Sequence, residues 1–360
     1  MPPFRAEHVG SLLRPAGLLD LRQRFVRGEI DQTALTAAED RAIEDAVRLQ
    51  EQVGLRLATD GEFRRQSYHS YFYGQLGDIS FEAPQGAAGG RGAQPMASIK
   101  SRIAWKSPIH ATDFAFLRRR TNALPKITIP GPCALHFRGG DAAVRAQAYR
   151  DTDEFWHDIV AAFRSELHAL AAAGCSYVQI DETAFAKFGD AAVQATLRAR
   201  GDDPDALIDK YIAVTNRVLA ELPGMRIGMH LCRGNRGGQW HAEGSYEAVA
   251  EKLFNRLAID FFFLEYDSPR AGDFAPLRFV PKDKSIVLGL VSTKMNFLED
   301  KSALRRRLDE ASRLVPLDRL AVSPQCGFAS TEVGNPISAE MQEAKLRLVV
   351  DLAQDVWGTA

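Results

Sequence analysis

The chain has 360 residues, 46% hydrophobic and 25% charged, with a net charge of −1. Such a composition is ordinary for a globular protein. The near-neutral balance argues against a basic nucleic-acid binder or a binder of anionic membranes, and no apolar run reaches the length of a membrane span.

The start, Met1-Pro2-Pro3-Phe4-Arg5, lacks the basic-then-apolar pattern of a secretion signal, so a cytoplasmic location is expected. From there, short apolar runs alternate with longer helical patterns. The strand candidates are 6–9, 55–59, 127–129, 177–180, 227–229, 261–264, 286–290 and 320–322. Helices are expected near 17–27, 33–53, 142–173, 204–222, 243–256, 300–313 and 337–357. In the 142–173 segment, Phe155, Ile159, Phe163, Leu167 and Leu170 recur at three- and four-residue steps and define an apolar face. The stretch Pro84 to Ala93 is rich in Gly and Ala and reads as a loop, followed by a strand-like segment from Ser98 to Trp105. Residues 78–107 are therefore expected to make a hairpin excursion after the second strand. With no linker dividing the chain, residues 1–360 read as one α/β domain, a (β/α)8 TIM barrel.

In such a barrel the chemistry sits at the C-terminal ends of the strands. Here those ends carry His8-Val9-Gly10-Ser11, Asp60-Gly61-Glu62, Pro130-Gly131-Pro132, Asp181-Glu182, His230 with Cys232, Glu265, Ser292-Thr293-Lys294, and Cys326. His230 and Cys232 are two residues apart, so on a strand they share a face. An imidazole and a thiolate on one face make half of a zinc site. Glu265 and Cys326, on strands opening onto the same rim, complete a set of two thiolates, one imidazole and one carboxylate. Such a set suits Zn²⁺ over a hard cation. Two other readings stay open: Glu265 as an ion-pair partner of Arg233 or Arg270, and Cys326 as a small buried hydrophobe. Cys133 and Cys175 read as ordinary buried thiols. Four cysteines this far apart do not form a disulfide framework.

Six stretches occur in order: His8-Val9-Gly10-Ser11, Asp60-Gly61-Glu62-Phe63, Gln179-Ile180-Asp181-Glu182, His230-Leu231-Cys232, Leu264-Glu265-Tyr266 and Pro324-Gln325-Cys326-Gly327. Together they resemble the catalytic C-terminal barrel of the cobalamin-independent methionine synthase family, from about residue 4 to residue 357. The resemblance implies a Zn²⁺-dependent methyl transfer to the thiol of homocysteine, giving methionine. It implies His230, Cys232, Glu265 and Cys326 as metal ligands. Gly10 and Ser11 would hold the substrate carboxylate, and Glu62 and Asp181 its amino group. The full-length family has two barrels and this chain spans one. The family's proton-donating His after strand seven corresponds here to Lys294, the candidate general acid. The methyl donor, methyltetrahydrofolate or a methylcorrinoid, is left open, as is homo-oligomerisation.

Smaller expectations attach to other residues. Arg14 could reach a substrate carboxylate, and some of Phe63, Tyr68, His69, Tyr71 and Phe72 could line a donor pocket. Asn235 and its flanking glycines could form a lid. Three alternative functions compete: alkyl transfer from an epoxide to a thiol such as coenzyme M, a zinc-stabilised scaffold, and, least favoured, a uroporphyrinogen decarboxylase-like activity, which has no use for the His-Cys-Glu-Cys set.

Overall fold

A computed structural model describes residues 3–82, 96–222 and 224–360. The β-branched and aromatic runs become parallel strands buried on both faces, which is why they are apolar without alternation. In chain order the strands are β1 (Leu57–Ala58), β2 (Ile79–Glu82), β3 (Met96–Ile99), β4 (Leu124–Pro125), β5 (Ile127–Pro130), β6 (Tyr177–Asp181), β7 (Arg226–Leu231), β8 (Phe261–Glu265), β9 (Ser285–Val291) and β10 (Leu320–Pro324). Strands β5 to β10 form one sheet in sequence order, all parallel. β1 pairs in parallel with β4, which leads into β5 through Lys126. At the other edge, Ala6 makes a parallel bridge to Val322 of β10. Two bonds link these edges: the Thr59 hydroxyl donates to the Gly10 carbonyl at 2.7 Å, and the Leu12 N–H donates to the Gly61 carbonyl at 3.1 Å.

Helices Ala16–Val26, Gln32–Gln52, Thr152–Ala172, Pro204–Leu219, Glu247–Arg256, Lys301–Ser312 and Ala339–Trp357 lie where the apolar periodicity points. The 142–173 expectation needs correction. One helix, Ala134–Arg145, ends there and a second begins at Thr152. Asp151 starts the second by accepting the Asp153 N–H at 2.9 Å, a side-chain cap that favours a new helix over a continued one. Helices Ser70–Leu76, Ala111–Arg118 and Ala191–Ala199 were not anticipated; each is too short for a helical period to stand out. The expected strand at 6–9 shrinks to the bridge at Ala6. Among the described residues, no helix is long and apolar enough to cross a membrane.

β2 and β3 form an antiparallel pair. Residues 83–95 between them, including the expected Gly/Ala-rich loop, lie outside the described residues. The chain beyond β3 is tied down by Glu166, whose carboxylate accepts the Trp105 indole N–H at 2.9 Å and the Ile109 and His110 backbone N–H groups at 2.8 Å each.

The register sets what faces inward. Asp181 of β6 lies beside His230 of β7, and His230 beside Phe263 of β8. Residues two apart share a face, so Tyr177, Gln179 and Asp181 line up beneath one another. Tyr177, Phe261, Phe263, Val287 and Ala321 form an apolar cluster on that face. Beside it lies a buried ion pair, Lys126 Nζ to Glu7 Oε2 at 3.2 Å. Lys126 also donates to Gln179 Oε1 at 3.0 Å, and Tyr177 to Glu7 Oε1 at 3.1 Å. Removing one member leaves an uncompensated buried charge. We therefore expect Lys126→Met to cost about 3–5 kcal/mol in chemical denaturation. Glu7→Gln/Lys126→Met should recover part of that loss. A single-variant cost below ~1 kcal/mol would show that the pair is not what holds this end of the sheet.

Candidate active site

At the C-terminal ends of the strands lies a cavity of about 410 Å³. His230, Cys232 and Cys326 stand in its wall, all buried, with their donor atoms within 4.8 Å of one another. β7 delivers the first two, and the turn after β10 delivers the third. His230 is fixed at both nitrogens: Nδ1 lies 3.1 Å from Asp181 Oδ1, and Nε2 lies 3.2 Å from the Gln325 carbonyl. The Cys232 thiol donates to Cys326, which pushes Cys232 up and Cys326 down in pKa. A tetrahedral ion with bonds of ~2.0–2.3 Å puts its donors roughly 3.3–3.8 Å apart. The trio can meet that spacing with small side-chain shifts. Two thiols and an imidazole, one oriented by a carboxylate, suit a borderline-soft divalent metal.

Glu265 is not part of this close group. Its Oε2 accepts the Arg233 backbone N–H at 2.6 Å, while Oε1 is bound by Arg270 and lies 3.6 Å from Lys294 Nζ. Burial alone would raise its pKa, but Lys294, Arg270 and Arg233 outweigh burial and bring it to about 2. The ion-pair reading of Glu265 is therefore realised, and the carboxylate stays anionic beside the trio. Lys294 is buried behind Glu265 and is not among the residues lining the cavity. Burial pulls its ammonium down, yet Glu265 and Asp267 prevail and its pKa is raised, the opposite of what a proton donor needs.

Ser11, Glu62 and Asp181 all line the cavity. Gly10 lies directly behind them with φ 139°, where an added Cβ would meet Thr128 Cγ2 at 2.6 Å. Glu62 has φ 61°, unusual for a residue with a side chain, so its carboxylate is held at a conformational cost. Its Oε1 accepts the Thr128 hydroxyl at 2.8 Å, and Arg65 lies 3.8 Å away. Its Oε2 is buried with no hydrogen-bond partner. Burial raises the Glu62 pKa; Arg65 opposes that, Asp181 adds to it, and the net shift is upward. Asp181 Oδ1 accepts Gln179 Nε2 at 2.8 Å as well as facing His230.

Arg14 departs from expectation. Its guanidinium is spent on the carbonyls of Glu62, Arg65, Ala329 and Thr331, at 2.7–3.3 Å, where it ties three loops together. Of the aromatic set, Tyr68 and His69 reach the cavity, whereas Phe63 and Phe72 are core residues and Tyr71 lines a separate surface groove. Gly234, Asn235 and Arg236 line the cavity, with Asn235 Nδ2 donating to the Gly327 carbonyl at 3.0 Å. Cys133 and Cys175 are buried thiols that reach backbone carbonyls, at 3.8 and 3.4 Å.

Several lining residues escaped the sequence reading: Arg138, Lys187, His241, and Ile79, Ser80 and Phe81 of β2. β2 thus supplies part of the wall of its own chain's cavity. Lys187 and Arg138 follow β6 and β5, so their position after strand ends was the available signal. Burial, then the Arg138 charge, lowers Lys187 to about 7. The unfolded lysine titrates near ~10.4, so above pH 7 the unfolded state holds the extra proton and stability rises with pH. Wild-type stability relative to Lys187→Met should climb between pH 7 and 10 by up to ~1.4 kcal/mol per pH unit. Denaturant midpoints across that range measure it; a flat difference would mean that Lys187 keeps an ordinary pKa.

A profile of the cobalamin-independent synthase catalytic domain matches residues 5–355. The Bacillus subtilis protein YxjH is 42% identical over 361 residues, covering 99% of this chain and 95% of that one. A Listeria monocytogenes structure, assigned as a vitamin-B12 independent methionine synthase, is 35% identical with a TM-score of 0.75, covering 99% of this chain and 98% of its own. A 5-methyltetrahydropteroyltriglutamate–homocysteine methyltransferase of Thermosynechococcus vestitus is 32% identical over 189 residues, 51% of this chain and 24% of that enzyme. With its parallel sheet, its six ordered motifs and a profile match over nearly its whole length, the chain belongs to the family of cobalamin-independent synthase catalytic domains.

Proposed function

We propose that the chain is a zinc-dependent S-methyltransferase that converts homocysteine to methionine. The carrying observation is that His230, Cys232 and Cys326 converge in the same cavity wall as Ser11, Glu62 and Asp181. That wall would hold a thiol-binding metal and cradle an amino acid together. Bound to the trio, Zn²⁺ would lower the pKa of a substrate thiol and present it as a thiolate. The chain's own groups do the rest. Glu62 Oε2, buried and unmatched, is the acceptor an ammonium would satisfy, and Asp181 adds a second charge. Gly10 and Ser11 would take the carboxylate, with the absent Cβ of Gly10 leaving room for Thr128 and Glu62. Glu265, paired with Arg270 and Lys294, would be the fourth ligand to the metal and the one to yield its place to a substrate thiol. We assign Lys294 to positioning Glu265 rather than to proton transfer, because it is paired and lies outside the cavity. The two bonds between the Gly10 and Gly61 segments support a closed (β/α)8 barrel with all these groups on one rim. Free thiols at the site fit a reducing, cytoplasmic setting.

The purified chain should carry about one zinc, and Cys232→Ser and Cys326→Ser should each lose most of it. X-ray absorption should show one more sulfur on zinc when homocysteine is added. Glu62→Gln should weaken homocysteine binding roughly tenfold or more, the value of a charged hydrogen bond, without changing zinc content. An unchanged sulfur count with homocysteine present would end the thiol-activation reading.

A further inference from the structure

Glu62 meets its counter-charge through an intermediary. Thr128 of β5 lies beside Gln179 of β6 in the register, so its side chain stands on the same inner face. Its Cγ2 packs against Gly10, where an added Cβ would come within 2.6 Å of it. A β-branched side chain pinned at that methyl has its hydroxyl direction fixed as well. The hydroxyl accepts an N–H from Arg65 Nη1 at 2.9 Å and donates its own proton to Glu62 Oε1 at 2.8 Å. Arg65 Nη1 also donates to the Thr128 carbonyl at 2.9 Å. The donors therefore run one way, from guanidinium to hydroxyl to carboxylate.

This spacing decides the fate of the other carboxylate oxygen. An arginine that meets a carboxylate directly tends to pair with it as a fork, and both oxygens are then consumed. Arg65 and Glu62 are both buried and three residues apart, yet Nη1 and Oε1 stay 3.8 Å from each other. The Arg65 charge is offset across a gap, by Glu62 and by Asp60 at 4.0 Å. Among the described residues, Nε and Nη2 of Arg65 have no hydrogen-bond partner, so the guanidinium has donors to spare for a direct bond. Glu62 Oε2 is likewise buried without a partner, in the cavity wall that also holds Ser11 and Asp181.

We propose that Thr128 is a positioning residue that sets the substrate class: its hydroxyl holds Arg65 off Glu62 and so keeps Oε2 open for the ammonium of a thiol-bearing amino acid. Without that hydroxyl the guanidinium closes on Glu62, and the site loses its preference for an amine. The assignment rests on reading Glu62 as the acceptor of the homocysteine amino group.

The test is calorimetric titration of the zinc-loaded chain with homocysteine and with 4-mercaptobutyrate, which keeps the thiol and the carboxylate and lacks the amine. The wild type should favour homocysteine about tenfold or more, the strength of one charged hydrogen bond. Thr128→Val keeps the shape and removes the hydroxyl. It should erase most of that preference while leaving 4-mercaptobutyrate affinity and zinc content in place. Thr128→Ser should restore part of the preference. A crystal structure of Thr128→Val should show the Glu62 carboxylate on the Arg65 guanidinium. Should Thr128→Val not fold, Thr128→Ala and Thr128→Ser carry the same comparison. A preference that survives loss of the hydroxyl, or a loss that falls equally on both thiols, overturns the assignment. A wild type that binds both thiols alike would sink the amino-acid cradle at Glu62 itself, and this assignment with it.

Discussion

A line of buried polar contacts runs through the inner face of the sheet, and the site depends on it. Glu7 pairs with Lys126, Lys126 reaches Gln179, Gln179 donates to Asp181, and Asp181 holds Nδ1 of His230. Each member sits on a strand or beside one, so the strand register sets their spacing. Buried polar groups of this kind are costly unless every one finds its partner. Here the partners come from four separate segments. The orientation of the His230 imidazole is therefore tied to an ion pair at the far end of the same face.

Above that line the cavity separates tasks by charge. The two thiols and the imidazole gather within 4.8 Å of one another in one part of the wall. Glu265 stands just behind, kept ionised by Arg270, Lys294 and the Arg233 backbone N–H. The backbone at Gly61-Glu62 turns through positive φ at both residues, which carries the Glu62 carboxylate into the cavity. Arg14 stabilises that turn from behind by binding the Glu62 and Arg65 carbonyls. This is why the cradle can keep one carboxylate oxygen buried without a partner.

The comparison of expectation with structure separates along physical lines. The strands and most long helices were legible because burial on both faces, or along one stripe, leaves a periodic trace in local composition. The closeness of His230 and Cys232 was legible because two residues apart on an extended strand share a face. The break at Asp151 was missed because a cap is a single residue inside an otherwise continuous apolar pattern. Arg14 was misassigned because nothing local reveals which carbonyls surround a guanidinium. Lys294 was given a chemical role through the family resemblance, and nothing local revealed that Glu265 of β8 would stand 3.6 Å from its ammonium.

By itself, the sequence determined the order of the main strands and most long helices, the parallel α/β class, the family, and the residue types available at each strand end. These follow from local pattern and short motifs. Only the tertiary structure decided that Glu265 stands apart from the His-Cys-Cys group and that β2 walls its own chain's cavity. It also brought Arg138 and Lys187, 49 residues apart, onto one space. Those outcomes depend on distances between segments remote in the chain. Coulomb and desolvation energies are set by such distances, and neither composition nor spacing encodes them.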